Sequence, residues 1–355
     1  MFTSLEKAAF RKFRDMETKK HELRYLFWEC TVRCNLNCRH CGSDCTALGS
    51  EPDMPLKDFL AALDTIRDPA PDFLVVFTGG EPLLRDDIEE AGLEIRKRGM
   101  RWSLVTNGYL YDRRRHNSLL NAGMGALTIS LDGLEDSHGW LRNKKLEYFR
   151  VLEAIRLAAT SPRLNFDVVT CVNSRNLKEL DELKDMLLRM GVKAWRLFTI
   201  TPVGRAAGDA ALQLTGDEFL ELMEFIRKSR EEGTIDVKFS CEGYTGRYEK
   251  KVRDGRFFCR AGIHIASVLI DGSISACPNV DRSFVQGNIY RDNFYTVWQT
   301  EFEVFRDRRW TRTGTCATCP EYDDCLGNGF HNRRKKDNAL LLCHHHKILE
   351  GSPGV

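Results

Sequence analysis

Cys34, Cys38 and Cys41 stand in the run Cys30-Thr-Val-Arg-Cys34-Asn-Leu-Asn-Cys38-Arg-His-Cys41, a C-x3-C-x2-C spacing that directly follows an apolar segment. Three thiolates on one tight loop can hold a metal or a cluster. A cubane iron–sulfur cluster normally takes four cysteine ligands, so a loop that offers three leaves one iron open to bind a substrate or cofactor directly. Closely spaced cysteines also serve zinc, and that reading stands beside the first. Cys30, Cys45 and Cys171 lie outside the spacing and read as small buried hydrophobes.

A second set follows from Cys259: Cys259, Cys277, Cys316, Cys319, Cys325 and Cys343. Asp271-Gly272-Ser273 between two short apolar runs is a hairpin signal that would bring Cys277 back toward Cys259. Cys316-x2-Cys319-x5-Cys325 with the distant Cys343 makes a four-ligand site, for a cluster or for structural zinc. The run His344-His345-His346 beside Cys343 could bind metal but reads as an exposed, incidental feature near a chain end.

The elements that must position these residues are legible between about Leu26 and Ser240. Short β-branched or aromatic runs alternate there with longer amphipathic segments, the pattern of βα units around a parallel sheet. Strands are expected at Tyr25–Trp28, Phe73–Phe77, Trp102–Val105, Ala126–Leu131, Phe166–Val172, Trp195–Ile200 and Val237–Ser240. Helices are expected at Leu56–Arg67, Asp87–Lys97, Leu146–Ala159, Leu177–Met190 and Gly216–Lys228. The fold class is therefore α/β, a partial (β/α)6 TIM-type barrel with a small cysteine-rich C-terminal domain. The expected divisions are 1–24, a basic helical extension; 25–240, the barrel; 241–347, the cysteine-rich domain; and 348–355, a tail.

In such barrels chemistry sits at the carboxyl ends of the strands, where this chain places Thr78-Gly79-Gly80-Glu81-Pro82, Thr106-Asn107-Gly108 and Ser130-Leu131-Asp132-Gly133. The glycines let backbone approach a ligand closely, and the Glu81 carboxylate could meet an ammonium group. The small polar sets could hydrogen-bond hydroxyl groups or could be turn chemistry.

A formal net charge of +2 in 355 residues gives no global field for nucleic acid. The basic run Lys7, Arg11, Lys12, Arg14, Lys19 and Lys20 reads as a solvated helix face, with Phe10 and Phe13 leaving an interfacial role open. Thirteen clustered cysteines, with no secretory pattern ahead of them, argue against a disulfide framework. No run is long enough to span a bilayer, and thiols that must stay reduced fit the cytoplasm.

The cysteine loop followed by Gly-Gly-Glu-Pro after the second strand resembles the radical S-adenosylmethionine (SAM) enzymes. The C-terminal layout, with Gly272 five residues before Cys277, resembles the SPASM module that carries auxiliary clusters in many of them. The resemblance implies a 4Fe–4S cluster on Cys34, Cys38 and Cys41 that binds SAM and cleaves it to a 5'-deoxyadenosyl radical. It implies SAM contacts from Gly79, Gly80, Glu81, Pro82 and Asn107, with Ser130 and Asp132 toward the ribose and Arg142 toward the SAM carboxylate. Asn173 and Leu197 would join the ribose and adenine walls, and His40 would lie near the adenine. Cys316, Cys319, Cys325 and Cys343 would ligate one auxiliary 4Fe–4S cluster. The full module has a further cysteine where this chain has Gly329, which leaves Cys259 and Cys277 short of partners unless Cys241, His264 or a carboxylate joins them. Such relatives modify peptides or proteins, which makes a peptide maturase fed by flavodoxin or ferredoxin the first expectation. A tetrapyrrole or other small-molecule substrate is the alternative. A non-catalytic electron-transfer or metal-sensing protein is the reading from another class.

Overall fold

The computed structural model describes residues 3–240 and 242–351. Cys241 and residues 352–355 of the expected tail lie outside the described residues. Seven strands lie side by side in chain order, every neighbouring pair parallel: β1 (Tyr25–Thr31), β2 (Leu74–Gly79), β3 (Arg101–Thr106), β4 (Ala126–Ser130), β5 (Asn165–Val172), β6 (Ala194–Thr199) and β7 (Asp236–Phe239). The helices are α1 (Ser4–Lys20), α2 (Leu56–Leu63), α3 (Ile88–Lys97), α4 (Arg113–Asn121), α5 (Glu135–Arg142), α6 (Glu147–Ala159), α7 (Leu180–Arg189) and α8 (Gly216–Glu232). The α4 and α5 segments are missing from the sequence expectation because polar and charged residues dominate both and mask the helical period. The α2 helix stops at Leu63, four residues short of Arg67.

Period-two alternation along the strands sorts the two faces. Outward, Trp28 stacks on Phe59 of α2 at 4.2 Å, Phe77 stacks on Trp102 at 5.0 Å, and Trp195 meets Phe225 of α8 edge-on. Inward, Thr128, Asp167 and Arg196 hydrogen-bond across three adjacent strands and close the floor of the barrel. The barrel stays open, because the free edge of β1 pairs not with β7 but with β8 (Ile265–Val268), again in parallel. β9 (Ser273–Ser275) and β10 (Gly287–Asn288) continue the same sheet in antiparallel fashion, so the expected hairpin extends the barrel. No helix among the described residues is long and apolar enough to cross a membrane.

The α1 helix departs from the solvated face expected of it. Lys7 and Arg11 each reach the buried Asp324 carboxylate at 2.8 Å. The buried Arg14 guanidinium donates to the carbonyls of Asp323 and Asp324. Phe10 packs against the Arg256 guanidinium. These cations clamp the short helix Tyr322–Cys325, which carries one of the C-terminal thiols. Asp324→Ala should therefore cost about 2 kcal/mol, since it strands cations around a buried position. It should also speed iron loss to a chelator; unchanged thermal unfolding and chelation rates would refute the clamp.

Candidate active site

Cys34, Cys38 and Cys41 lie on the loop after β1, and their thiols are close enough to raise one another's cost of ionisation. The loop is strapped from three sides. Cys34 N–H donates to Thr46 O, and Arg39 N–H donates to Leu141 O of α5. Arg205 Nε donates to Cys38 O at 2.7 Å while its NH1 reaches Asp44 and Cys45 O. Burial pushes the Cys34 thiol up to about 12 and raises that of Cys38. Free thiolates are unfavourable at these two positions, and a bound metal would supply the counter-charge. Cys45 is buried and directs its thiol at Cys41, holding Cys41 below the ordinary thiol range.

The end of β2 presses on the start of this loop. A β-carbon at Gly79 would lie 2.1 Å from Thr31 O, and one at Gly80 would lie 2.2 Å from Arg33 O. Only glycine permits that approach, and Gly80 and Glu81 N–H groups then bond Thr31 O and Arg33 O. The Glu81 carboxylate, expected to face an ammonium group, is instead turned inward. It accepts from Leu83 N–H (3.1 Å), Thr106 Oγ1 (2.7 Å) and Asn107 N–H (2.8 Å). Burial pushes it up to about 7 while these donors pull it back. It joins the ends of β2 and β3, leaving backbone rather than side chain to face the barrel mouth. Pro82 is buried at the start of the following turn. Leu83 is buried next to it, and Arg85, just past the turn, donates from NH1 to Cys30 O and Met54 O beneath the loop.

Asp132, expected at a ribose, is fully buried and saturated. It accepts from Arg142 Nε at 2.6 Å and from Cys171 N–H at 2.7 Å. Burial works against its charge, yet Arg142, His40 and His138 hold it below the ordinary carboxylate range. It thereby aims Arg142, whose NH1 lies 3.8 Å from Cys38 Sγ. The neighbouring Ser130 makes no side-chain hydrogen bond among the described residues and is half-buried on the inner face. Asn107 donates to Asn35 and lies 4.0 Å from Cys34 Sγ. Asn173 spends its carbonyl oxygen on the N–H groups of Arg175 and Asn176, which is turn chemistry. Leu197, expected on an adenine wall, is fully buried core: odd positions of β6 face the helices, and its neighbour Phe198 is the one that looks inward. His40 lines the inner cavity 3.8 Å from Asp132, and burial pushes it down to about 4. His40, Asp132 and Cys171 are the one group of metal-ligand side chains among the described residues whose atoms all lie within 4.8 Å. Arg142 already supplies the cation at that spot.

The Cys316, Cys319, Cys325 and Cys343 thiols also converge, each near enough to affect Cys325. Sulfurs around a tetrahedral zinc lie roughly 3.8 Å apart, as a bond of about 2.3 Å requires. No three of these four meet within 4.8 Å among the described residues, a wider set than that spacing. Two donors already point at sulfur: Asn328 N–H at Cys325 (3.2 Å) and Arg333 NH2 at Cys316 (3.1 Å). Cys259 is buried and Cys277 half-buried. His264 has Glu17 at 2.8 Å from Nε2 and the Arg260 guanidinium at 3.4 Å from Nδ1. At Gly329 a β-carbon would lie 2.6 Å from the His331 ring, so a cysteine has no room there.

A cavity of about 710 Å³ joins the two regions, walled by the 40–44 loop, the ends of β5 and β6, and residues of the C-terminal module. Sequence reading missed most of this wall, including Glu29, Thr199, Glu242 and His331. His344, expected to be exposed, is buried; its Nε2 meets Thr199 Oγ1 at 2.8 Å beside Glu242. The only sequence signal for it is its position next to Cys343.

Residues 28–187 match the radical SAM superfamily, and residues 259–320 match the SPASM iron–sulfur cluster-binding domain. The chain is a radical SAM enzyme with a SPASM module. It is 24% identical over 335 residues to the AdoMet-dependent heme synthase of Oleidesulfovibrio alaskensis, covering 88% of this chain and 84% of that one. It is 26% identical over 308 residues to the mycofactocin maturase MftC of Mycobacterium tuberculosis, covering 85% and 77%. Streptococcus suis SuiB bound to S-adenosylmethionine superposes with a TM-score of 0.70 at 16% identity over 94% of this chain and 80% of that one. The enzyme anSMEcpe with bound AdoMet and the Cp18Cys peptide superposes with 0.71 at 18% identity over 93% and 95%. At such identities these two likenesses are of fold. A radical SAM enzyme of this kind uses a 4Fe–4S cluster with SAM and an auxiliary iron–sulfur cluster. The two thiol sets suit those groups in number, burial and spacing.

Glu81→Gln places an amide NH2 among three donors. It should destabilise the radical SAM domain by about 1–3 kcal/mol and lower iron uptake at the loop. Wild-type stability with full iron would show that the carboxylate does not hold the loop.

Proposed function

We propose that this radical SAM enzyme is a peptide or protein maturase. Cys34, Cys38 and Cys41 hold the SAM-binding cluster, and Cys316, Cys319, Cys325 and Cys343 hold an auxiliary cluster. When bound, the first cluster and SAM supply a 5'-deoxyadenosyl radical for hydrogen abstraction. The chain's own part is positional. The glycine backbone at β2, the Asp132-oriented Arg142 and the hydroxyl of Ser130 hold SAM at the barrel mouth, and the closed floor excludes water that would quench a radical.

The observation that carries the peptide reading is the wall of the 710 Å³ cavity. Its arginines are already satisfied: Arg282 by Glu29, Arg334 by Asp337, and Arg333 by carbonyls and Cys316. Asp44 and Asp281 add carboxylates to the same wall, beside Glu242, whose carboxyl burial pushes up to about 7. A substrate with several carboxylates would find Arg282 and Arg334 already paired with carboxylates and the donors of Arg333 already spent, and buried carboxylates without partners are unfavourable. A peptide backbone suits the neutral polar groups of this wall, such as Asn279, with Phe198, Ile200 and Val203 available to side chains. The tetrapyrrole reading is kept for one reason, the near full-length similarity to proteins named AdoMet-dependent heme synthase. Flavodoxin or ferredoxin is the expected electron donor, and reduced cytoplasm is the setting that keeps these thiols available.

Anaerobic incubation with SAM and a strong reductant should release 5'-deoxyadenosine, and the Cys34→Ala, Cys38→Ala, Cys41→Ala protein should release none. A mass change on a peptide encoded beside its gene, with none on a carboxylated porphyrin, supports the maturase. The reverse pattern transfers the assignment to tetrapyrroles.

A further inference from the structure

Arg333 is a buried cation with no carboxylate partner among the described residues. It is 2% exposed, and all its donors are engaged. Nε donates to Gly327 O at 2.7 Å, NH1 to Asn338 O and Oδ1 at 3.3 and 2.9 Å, and NH2 to Thr311 O and Cys316 Sγ, both at 3.1 Å. The oxygens solvate the guanidinium but do not neutralise it. A guanidinium stays protonated in proteins, and a buried charge without a counter-charge is strongly unfavourable. The one acceptor in this set that can become anionic is the Cys316 sulfur, which shares its pocket with three further thiols. Asn328 N–H, at 3.2 Å from Cys325 Sγ, adds a neutral donor on the same side.

We propose that Arg333 is the built-in counter-charge of the auxiliary cluster and raises its reduction potential. This rests on the assignment of Cys316, Cys319, Cys325 and Cys343 as ligands. Reduction adds one negative charge to the cluster, and a fixed guanidinium in hydrogen-bond contact with a ligand sulfur stabilises that added charge. Arg333 also forms part of the cavity wall beside His331. The charge that tunes the cluster therefore stands between it and the substrate. Arg333 is a positioning residue: it touches a ligand sulfur and acts on the potential through it.

The test is an EPR-monitored redox titration of the reconstituted full-length chain carrying Cys34→Ala, Cys38→Ala and Cys41→Ala, so that the auxiliary signal is read alone. Adding Arg333→Gln should move the midpoint to a more negative potential at unchanged iron content. Arg333→Lys keeps the charge but loses the fixed fork, and should fall between the two. If the Gln protein does not fold, the Lys protein decides by the same sign. A midpoint equal to that of the parent in the folded variants overturns the proposal while leaving the ligand assignment standing. A parent that holds no iron overturns the ligand assignment and the proposal together.

Discussion

The contact on which the site depends is the near-touching of two backbones at the carboxyl ends of β1 and β2. Thr31 and Arg33 offer their carbonyls to the N–H groups of Gly80 and Glu81, at a separation that any β-carbon at 79 or 80 would destroy. This contact fixes where the chain leaves β1, and so where the cysteine loop begins. Glu81 then ties the same point to the end of β3 through Thr106 and Asn107. Three consecutive strand ends are thereby held in one frame. The three thiols are placed by that frame and by Arg205, not by contacts within the loop alone.

A second constraint runs through both cysteine sets. Burial raises the cost of ionising Cys34, Cys38, Cys325 and Cys343, and a guanidinium stands within reach of a sulfur in each set. Arg142 reaches Cys38 from α5 under the control of Asp132, and Arg333 reaches Cys316 from the C-terminal module. The α1 cations act differently, holding the Cys325 helix in place through the Asp324 carboxylate. Because β8 pairs with β1, the C-terminal module joins the barrel sheet, and the cavity is walled by residues of both.

Much of this was legible in the residue order. The strand periods placed all seven parallel strands within three residues at either end, the largest miss being β1, which runs on from Trp28 to Thr31, and the cysteine spacings drew attention to the two sets that converge. What was not legible follows from physical causes. Side-chain direction at a strand end depends on register, so Leu197 was expected in the cavity when Phe198 is the residue there. Whether a buried carboxylate faces a ligand or its own neighbours depends on donors brought in from other strands, and that reverses the expectations for Glu81 and Asp132. The basic face of α1 looks like a solvated one until its acidic partners, more than three hundred residues away, are in place. Arg333 carries no local signal and His344 only its place beside Cys343; tertiary packing gives both their buried roles.

The central claim is that this chain houses two separate clusters on the two thiol sets. It is tested most directly by iron, sulfide and zinc analysis of the anaerobically reconstituted protein beside the Cys34→Ala, Cys38→Ala, Cys41→Ala variant. The account requires about eight irons in the intact chain and about four in the variant, at about four per cubane. A variant that holds zinc and no iron would contradict it, because the C-terminal set would then be a structural metal site with no part in electron transfer.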